Sequence, residues 1–267
     1  MEQHRARRRF GQNFLVDRHV IESIVHAIDP RPGDSLVEIG PGMGALTGLL
    51  AARVQPLHVI ELDRDLARSL PQRLPAAQLI VHEADVLDFD FGTLRAPLRV
   101  VGNLPYNISS PILFRLFDVA DRLLDIHVML QREVVERIVA RPDSAAYGRL
   151  SVMMQYRFDT QSVLEVGPQA FRPAPRIESS VIRMLPRTGE ALDARSIATL
   201  SRVVQAAFGQ RRKMLRNTLR GYFDVAQLTA LDIDPRARAE DLGVEDFVRL
   251  ANAADDVVPI SRSGCAG

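Results

Sequence analysis

The sequence is poor in cysteine, in lysine and in long apolar runs. Its one cysteine, Cys265, lies in a tail at 261–267 that contains serine and glycine, which excludes a disulfide framework and a thiol-based metal site. No apolar stretch approaches the roughly 20 residues of a membrane span, and the basic segment 1–9 leads into no apolar region of a signal peptide. The sequence therefore predicts a cytoplasmic protein without a membrane partner and without a metal site.

The net charge of the 267-residue chain is +1, which by itself argues neither for nor against a polyanionic partner. The positions of the basic residues are more informative, because they cluster. Lys213 is the only lysine, and so uniform a preference for arginine reflects genome composition rather than function. The clusters are Arg5, Arg7, Arg8 and Arg9 at the start of the chain, and Arg211, Arg212, Lys213, Arg216 and Arg220 near its end.

Apolar, β-branched-rich runs alternate with helical patterns in the first part of the chain. This alternation predicts βαβ units and a parallel sheet, that is, an α/β fold. Two later strand-like runs have no helix between them and predict an antiparallel pair at one sheet edge. The predicted strands are 35–39, 57–62, 78–82, 98–101, 126–130, 161–166 and 179–185, and the predicted helices are 20–28, 46–53, 66–74, 111–118, 132–140 and 148–156.

A polar linker with Pro186 and Gly189 spans 186–194, and every pattern beyond it is helical. The sequence therefore predicts a sheet domain at 1–186, a small all-helical domain at 194–254 and a disordered tail at 255–267. The helices predicted in the second domain are 194–208, 212–219, 225–231 and 244–252.

The segment Asn103-Leu104-Pro105-Tyr106 follows the fourth predicted strand and points to a chemistry. An exocyclic purine amine is a poor nucleophile, because its lone pair is delocalised into the ring. The Asn103 side-chain oxygen and the Leu104 carbonyl can accept its two N–H bonds and draw that lone pair out of conjugation. Pro105 stiffens the turn, and Tyr106 offers a face on which an extruded base can stack. The structural alternative is an ordinary Asn/Pro turn at a strand end.

A glycine-rich segment, 38–45, lies between the first strand and its helix, where backbone N–H groups can approach a ligand. Glu61 ends the second strand at the spacing from which an acid reaches ribose hydroxyls. Asp85, followed by Val86, comes after the third strand and can accept from an adenine amine. Asp63 and Asp65 are better explained as a turn and a helix cap. Because Gly40, Gly42 and Ala45 also satisfy the dinucleotide pattern, NAD stays open as a ligand.

With these segments in view, the sequence resembles the small-subunit ribosomal RNA adenine dimethyltransferases, whose loss confers kasugamycin resistance. The resemblance covers nearly the whole chain, although Arg176 stands where relatives often have an uncharged residue. The segments that carry it are 11–17, 37–47, 59–63, 85–86, 102–111, 131–134, 147–151, 171–179 and 208–213.

The resemblance implies a Rossmann-like, S-adenosylmethionine-dependent methyltransferase domain and a helical RNA-binding domain. It implies methyl transfer to N6 of adjacent adenosines near the 3′ end of small-subunit ribosomal RNA, giving N6,N6-dimethyladenosine, and a role in subunit assembly. The expected partner is that RNA in an assembling particle, and the protein is expected to be a monomer. The implied cofactor contacts are Asn13, Leu15, Gly40, Gly42, Glu61, Asp85, Val86 and Asn103, and the implied RNA contacts are Tyr106, Phe171, Arg211, Arg212 and Lys213.

Several alternatives stay open. Phe171 could equally close the edge of the core, and Arg211 to Lys213 could form a solvated helix face, although three consecutive helical residues point in different directions. A large-subunit adenine methyltransferase of the erythromycin-resistance type shares the catalytic half, but the segment 210–213 and the length of the helical domain disfavour it. A DNA adenine methyltransferase would favour Asp-Pro-Pro-Tyr or Asn-Pro-Pro-Tyr in place of the segment 103–106. A dehydrogenase would have no function for this segment. A non-catalytic role as an assembly checkpoint is compatible with methylation.

Overall fold

The computed structural model describes residues 13–72, 78–189 and 193–256. The chain divides into two compact units, one from Met1–Val135 and Asp159–Pro186, the other from Glu136–Phe158 and Arg187–Gly267. Residues 136–158, which the sequence assigns to the sheet domain, thus group with the helical unit. The arginines at 5–9 and the tail beyond 256 lie outside the described residues.

Two sheets organise the first unit. The first three predicted strands agree with the structure to within one residue at each end, and the later four are one to four residues longer than predicted. A seven-stranded sheet has the order β4-β3-β2-β5-β6-β9-β7, and a two-stranded sheet pairs β1 with β8. The strands are β1 Phe14–Leu15, β2 Ser35–Ile39, β3 Leu57–Glu61, β4 Leu79–Glu83, β5 Leu98–Asn103, β6 Leu123–Gln131, β7 Phe158–Val166, β8 Phe171–Arg172 and β9 Ser179–Pro186.

Strand direction within the large sheet confirms the predicted α/β class. Neighbours from β4 to β6 are parallel, and β6 pairs with β9 in the antiparallel direction. Ile39 at the end of β2 lies opposite both Ile60 of β3 and Gly102 of β5. The carboxyl ends of these parallel strands therefore meet at one sheet edge, where such sheets bind ligands.

Short helices connect the strands of the first unit and cover the sheet with their apolar faces. Asp17 caps the first of them by accepting from the backbone of His19 and Val20, and Asp63 caps the third by accepting from Asp65, as predicted. The buried core includes Ile24 and Phe171. The helices are α1 Arg18–Ile28, α2 Thr47–Ala51, α3 Arg64–Ser69, α4 Ser109–Asp118 and α5 Arg132–Val139, the last of which crosses the boundary between the units.

The second unit is helical, and its core contains the ring series Tyr147, Phe208 and Phe247. Its helices are α6 Arg149–Arg157, α7 Ile197–Phe208, α8 Leu215–Thr218, α9 Val225–Ala230 and α10 Val244–Asp256. Helix α6 packs against α7 and α10, which explains why 136–158 belongs here. Among the helices of the described ranges, none has the length and apolar character needed to span a bilayer.

The basic run 211–213 is not helical, contrary to the prediction of a helix at 212–219. A turn encloses it, in which the Lys213 N–H donates to the Gln210 carbonyl at 2.8 Å. Met214 then forms an isolated antiparallel bridge with Arg238, and the Leu215 N–H donates to the Ala237 carbonyl. The basic run therefore lies in a turn, and the chain pairs with the distant segment 237–238 only from Met214 onward.

Candidate active site

A cavity of about 310 Å³ opens at the carboxyl ends of β2 to β5 in the first unit. This volume is in the range of small-molecule sites. The segments that the sequence singled out at four strand ends all contribute to its wall, as do residues of the chain start. The residues that line the cavity include Asn13, Phe14, Leu15, Glu38, Gly40, Gly42, Glu61, Asp85, Val86, Asn103, Leu104, Pro105 and Tyr106.

The glycine-rich loop behind β2 forms the floor of this cavity. Gly40 and Gly42 have φ angles of 64° and 57°, in the left-handed region that favours glycine. A Cβ on Gly42 would also lie 3.2 Å from the Phe14 ring. The absence of a side chain at Gly42 therefore leaves room for the Phe14 ring, which lines the cavity together with the loop.

Glu61 connects the end of β3 to the glycine loop. One carboxylate oxygen accepts from the Gly42 N–H at 3.1 Å, and the other accepts from the Asp63 N–H at 2.9 Å. Burial raises the pKa of Glu61, and these two hydrogen bonds oppose the rise. The carboxylate is thus fixed in direction, and its remaining lone pairs can accept from a ligand in the cavity.

Glu38 is a second buried acid of the cavity, to which the sequence analysis gave no role. Its side chain is 2% exposed, and among the described residues its Oε2 has no hydrogen-bond partner. Burial raises the pKa of Glu38 to about 8; the neighbouring Thr47 hydroxyl opposes the rise, and the nearby Glu61 carboxylate adds to it. The signal in the sequence is an acid inside an otherwise apolar strand, Ser35–Ile39. An orphaned carboxyl group here favours a ligand that brings a positive charge or a hydrogen-bond donor.

Asp85 and Val86 follow β4 and close the next part of the cavity wall. One Asp85 oxygen accepts from the Leu87 N–H at 2.9 Å, which fixes the turn behind the strand. Val86 is buried. The other acid near this strand end, Glu83, points to solvent and pairs with Arg64 at 3.0 Å. The structure therefore distinguishes Asp85, which lines the cavity, from Glu83, which does not.

Asn103, the last residue of β5, is oriented by the start of the chain. Its Nδ2 donates to the Asn13 carbonyl at 3.1 Å. A flipped amide would bring two oxygens together at this contact, so the observed orientation reserves Oδ1 as an acceptor. The adjoining Leu104 N–H donates to the Met129 carbonyl at 3.2 Å, which anchors the turn to β6.

Pro105 and Tyr106 begin a short 3-10 turn at the mouth of the cavity. Pro105 has φ −60° and precedes the turn Tyr106–Ile108, in agreement with its predicted stiffening role. The Tyr106 hydroxyl lies 2.5 Å from the hydroxyl of Ser179, the first residue of β9. Burial raises the pKa of Tyr106, although the hydrogen bond with Ser179 opposes the rise. The phenol is therefore neutral over the physiological pH range.

Asn13 and Leu15, for which the resemblance implies cofactor contacts, both line the cavity. Leu15 belongs to β1, which pairs with β8 in the register Leu15 opposite Phe171. Phe171 itself is fully buried in the core of the first unit and is absent from the cavity wall that the described residues form. The Phe171 ring is therefore part of the core in this structure, as expected if it closes the edge of the core instead of contacting RNA.

The basic run of the second unit separates into two kinds of residue. The Arg211 guanidinium pairs with Glu240 at 2.9 Å and also donates to the Ala145 carbonyl. Arg212 and Lys213 are exposed, and their side chains bind no other residue of the described ranges. Lys213 also faces a cleft of the same unit, with Asn217, Arg220 and Tyr222. Arg211 is thus tied into the fold, whereas its two neighbours are available to a ligand.

Within the described residues, no cluster of three or more His, Cys, Asp or Glu side chains could hold a metal ion. The first unit instead combines two buried carboxyl groups, a bare glycine loop, an oriented amide oxygen and a phenol ring around one cavity. This arrangement can bind a ligand rich in hydroxyl and amino groups beside a second, flat group that carries an N–H bond.

Comparison with known proteins identifies one family. The family described as ribosomal RNA adenine dimethylase matches residues 3–256. A ribosomal RNA small subunit methyltransferase A of Chromobacterium violaceum is 54% identical over 257 residues, which are 96% of this chain and 98% of that protein. The protein of the same name from Aromatoleum aromaticum is 56% identical over 252 residues, or 94% of this chain and 95% of that one.

Two solved structures have a similar fold. A dimethyladenosine transferase from Plasmodium falciparum superposes with a TM-score of 0.78 at 22% identity, covering 89% of this chain and 95% of that chain. At this identity, the likeness concerns the fold alone. The 23S rRNA methyltransferase ErmE superposes with a TM-score of 0.70 at 26% identity, covering 91% of this chain and 100% of that chain.

Proposed function

Because the chain belongs to the ribosomal RNA adenine dimethylase family, we propose that it transfers methyl groups from S-adenosylmethionine to N6 of adenosines in small-subunit ribosomal RNA. The two adenosines would be adjacent and near the 3′ end of that RNA, and each would become N6,N6-dimethyladenosine. Identity to the two small subunit methyltransferases is about twice the 26% identity to ErmE, which favours this substrate over large-subunit RNA.

The observation that carries the proposal is the orientation of Asn103. Its amide nitrogen donates to the Asn13 carbonyl, so Oδ1 is the atom left to accept from a substrate amine. The residue lies where the cavity wall continues into Pro105 and Tyr106. An acceptor beside an aromatic ring suits a flipped adenine, whose amine needs an acceptor and whose ring needs a stacking partner.

The cavity residues fit S-adenosylmethionine as the cofactor. Glu61 has free lone pairs for ribose hydroxyls, and Asp85 with Val86 can hold the adenine of the cofactor. The unpaired Glu38 Oε2 needs a cation or a donor, and the cofactor carries an ammonium group. Asn13, Leu15, Gly40 and Gly42 would complete the contacts by backbone and side-chain groups. NAD would leave both the orphaned carboxyl group and the oriented amide without a role.

When bound, S-adenosylmethionine supplies an electrophilic methyl group on a sulfonium sulfur. The protein has to prepare the amine: Asn103 Oδ1 and the Leu104 carbonyl accept its N–H bonds and direct its lone pair toward the cavity. Tyr106 holds the base by stacking. An alkylated amine is positively charged, so its proton is acidic and can leave through one of these acceptors to water. The contribution of these residues is alignment and electrostatic support rather than strong base catalysis.

A second transfer to the same nitrogen places a different demand on the turn 103–106. The monomethylated amine retains one N–H bond for two acceptors, so one of the two oxygens loses its donor. The base must then be held to a greater extent by stacking on Tyr106. Phe171 would have to leave the core to cover the opposite face, which makes Tyr106 the principal stacking residue of this proposal.

The helical unit would hold the RNA. Arg212 and Lys213 offer unpaired charges to phosphates, and Lys213 shares its cleft with Arg220 and Tyr222. Arg211 would support this surface through its bonds to Glu240 and Ala145. The partner would be an assembling small subunit in the cytoplasm, bound by one copy of the protein, and the binding itself would contribute to assembly.

Methylation of small subunits from cells that lack this gene tests the proposal. Purified protein is incubated with these subunits and isotope-labelled S-adenosylmethionine, and the RNA is digested for mass spectrometry. The expected product is N6,N6-dimethyladenosine at adjacent positions near the 3′ end. Large subunits serve as the control substrate. Label in large-subunit RNA alone would indicate the ErmE-like alternative, and the absence of label in both would overturn the proposed activity.

A further inference from the structure

We propose that Ser179 is a positioning residue, which holds the Tyr106 ring in place for the target base. The inference rests on the proposed function, because it assumes that Tyr106 stacks on a substrate adenine. Ser179 contributes no part of the cavity wall formed by the described residues. Any effect on the reaction must therefore pass through the hydroxyl of Tyr106, which lies 2.5 Å away.

Ser179 is well suited to be the fixed end of this contact. Its side chain is fully buried, and it begins β9 opposite Gln131 in the antiparallel ladder with β6. The following residues of β9 continue that ladder as far as Met184. The Ser179 hydroxyl is therefore carried by a strand whose backbone is held against β6 over six consecutive residue pairs, of which Ser179 and Gln131 are the last.

Tyr106, in contrast, lies on a short turn that has few tethers of its own. The 3-10 segment Tyr106–Ile108 has no side-chain cap, and the Tyr106 carbonyl accepts from the Ser109 hydroxyl at 3.1 Å. The tyrosine backbone sets one end of the ring axis. The bond to Ser179 sets the other end, at the phenol oxygen.

Fixing both ends of the ring axis selects the χ1 rotamer of Tyr106. Another rotamer would carry the ring away from the position beside Asn103, and a base stacked on it would move as well. Because stacking and amine alignment have to be satisfied together, loss of the tether should affect methyl transfer more than binding. The second transfer should suffer more than the first, since the monomethylated amine has only one N–H bond to guide it.

The neighbouring Ser180 offers a matched control. It is also buried on β9, and its hydroxyl lies 2.9 Å from that of Ser162 and donates to the Leu164 carbonyl at 3.1 Å. Ser180→Ala therefore removes a buried serine hydroxyl from the same strand without touching Tyr106. Any general weakening of β9 should appear in this variant to a similar extent as in Ser179→Ala.

The test compares Ser179→Ala, Tyr106→Phe, their combination and Ser180→Ala in the methylation of small subunits. We expect Ser179→Ala and Tyr106→Phe each to lower kcat by roughly three- to tenfold, as for one lost hydrogen bond. The KM for S-adenosylmethionine should stay constant, and N6-monomethyladenosine should accumulate. The double variant should be no slower than the slower single variant, because both changes remove the same bond. Ser180→Ala should keep the wild-type kcat and product ratio.

Three results would overturn the inference. Ser179→Ala could match Ser180→Ala in kcat and product ratio, the two losses could multiply in the double variant, or Tyr106→Phe could leave kcat unchanged. Tyr106→Phe keeps the ring and decides the question even if Ser179→Ala does not fold. Failure of the proposed function looks different, because the wild-type protein would then methylate neither kind of subunit.

Discussion

The Gly42 N–H donates to the Glu61 carboxylate at 3.1 Å, which joins two cavity elements that are 19 residues apart in the chain. The acid that we assign to the cofactor ribose thus also holds the glycine loop in place. Its second oxygen is occupied by the Asp63 N–H. A change at Glu61 should therefore act on the ligand directly and on the shape of the cavity floor.

Glu61→Ala should weaken S-adenosylmethionine binding by roughly 1.5–3 kcal/mol, or about 10- to 150-fold, because a charge-assisted hydrogen bond is lost. Glu61→Gln, which keeps the shape and one acceptor oxygen, should lose less. Calorimetric titration of the wild-type protein and both variants measures the difference. Equal affinities in all three would remove Glu61 from the cofactor site.

Asn103→Ala should abolish methyl transfer while S-adenosylmethionine binding is weakened but still measurable, since the main role of Asn103 is on the target amine. Asn103→Asp keeps an acceptor oxygen but sets a carboxylate against the Asn13 carbonyl, so it should also be strongly impaired. Single-turnover methylation and cofactor titration are measured on the same preparations. An alanine variant with turnover within tenfold of the wild type would refute the assignment.

Glu38 should make the stability of the cofactor-free protein depend on pH. Its pKa is raised by burial from the model-compound value of 4.5 to about 8 in the folded protein. The folded state therefore binds this proton more tightly than the unfolded state does. The resulting stabilisation is fully present below pH 4.5 and is lost as the pH rises toward 8. In Glu38→Gln, the free energy of unfolding should therefore decrease less over this pH range than it does in the wild-type protein. Denaturant unfolding at several pH values gives the difference curve between the two proteins.

The cofactor-free folded protein favours the protonated form of Glu38. A cationic ligand should reverse this preference, because a positive charge beside Glu38 favours the carboxylate. Binding of S-adenosylmethionine below pH 8 should therefore release a proton from the wild-type protein and not from Glu38→Gln. Calorimetry in buffers of different ionisation enthalpy detects such a proton. The same buffer dependence in both proteins would show that Glu38 keeps its proton in the complex.

Much of the site could be predicted from sequence, because parallel strands bring consecutive strand ends to one edge. This rule is sufficient to join Gly40, Glu61, Asp85 and Asn103. Asn103 and Asn13 are 90 residues apart, and Tyr106 and Ser179 are 73 residues apart. These two contacts depend on tertiary structure that no local pattern encodes. The orphaned acid Glu38 becomes evident only when its burial is known.

The contacts of the basic run 211–213 also could not be predicted from the sequence. They show which of its three charges are available to RNA. Periodicity suggests a helix, yet residues 211–213 form a turn, after which Met214 pairs with Arg238. Arg211 is bound to Glu240, whereas Arg212 and Lys213 are free of described partners. The double variant Arg212→Gln, Lys213→Gln should therefore bind small subunits more weakly. It should flatten the slope of log affinity against log salt by about 0.7–0.9 for each lost phosphate contact.

Two variants separate this effect from general loss of charge or of structure. Arg211→Gln should lower the unfolding temperature, because it breaks the bonds to Glu240 and Ala145, and should change the salt slope less than the double variant does. Arg236 is another exposed arginine of the same unit, on the segment that pairs with 214–216, and Arg236→Gln reports the effect of one charge removed beside the run rather than within it. Filter binding over a range of salt, with S-adenosylmethionine affinity measured in parallel, completes the comparison. If the double variant keeps the wild-type slope, or if Arg236→Gln changes it equally, Arg212 and Lys213 are not the RNA contacts of the helical unit.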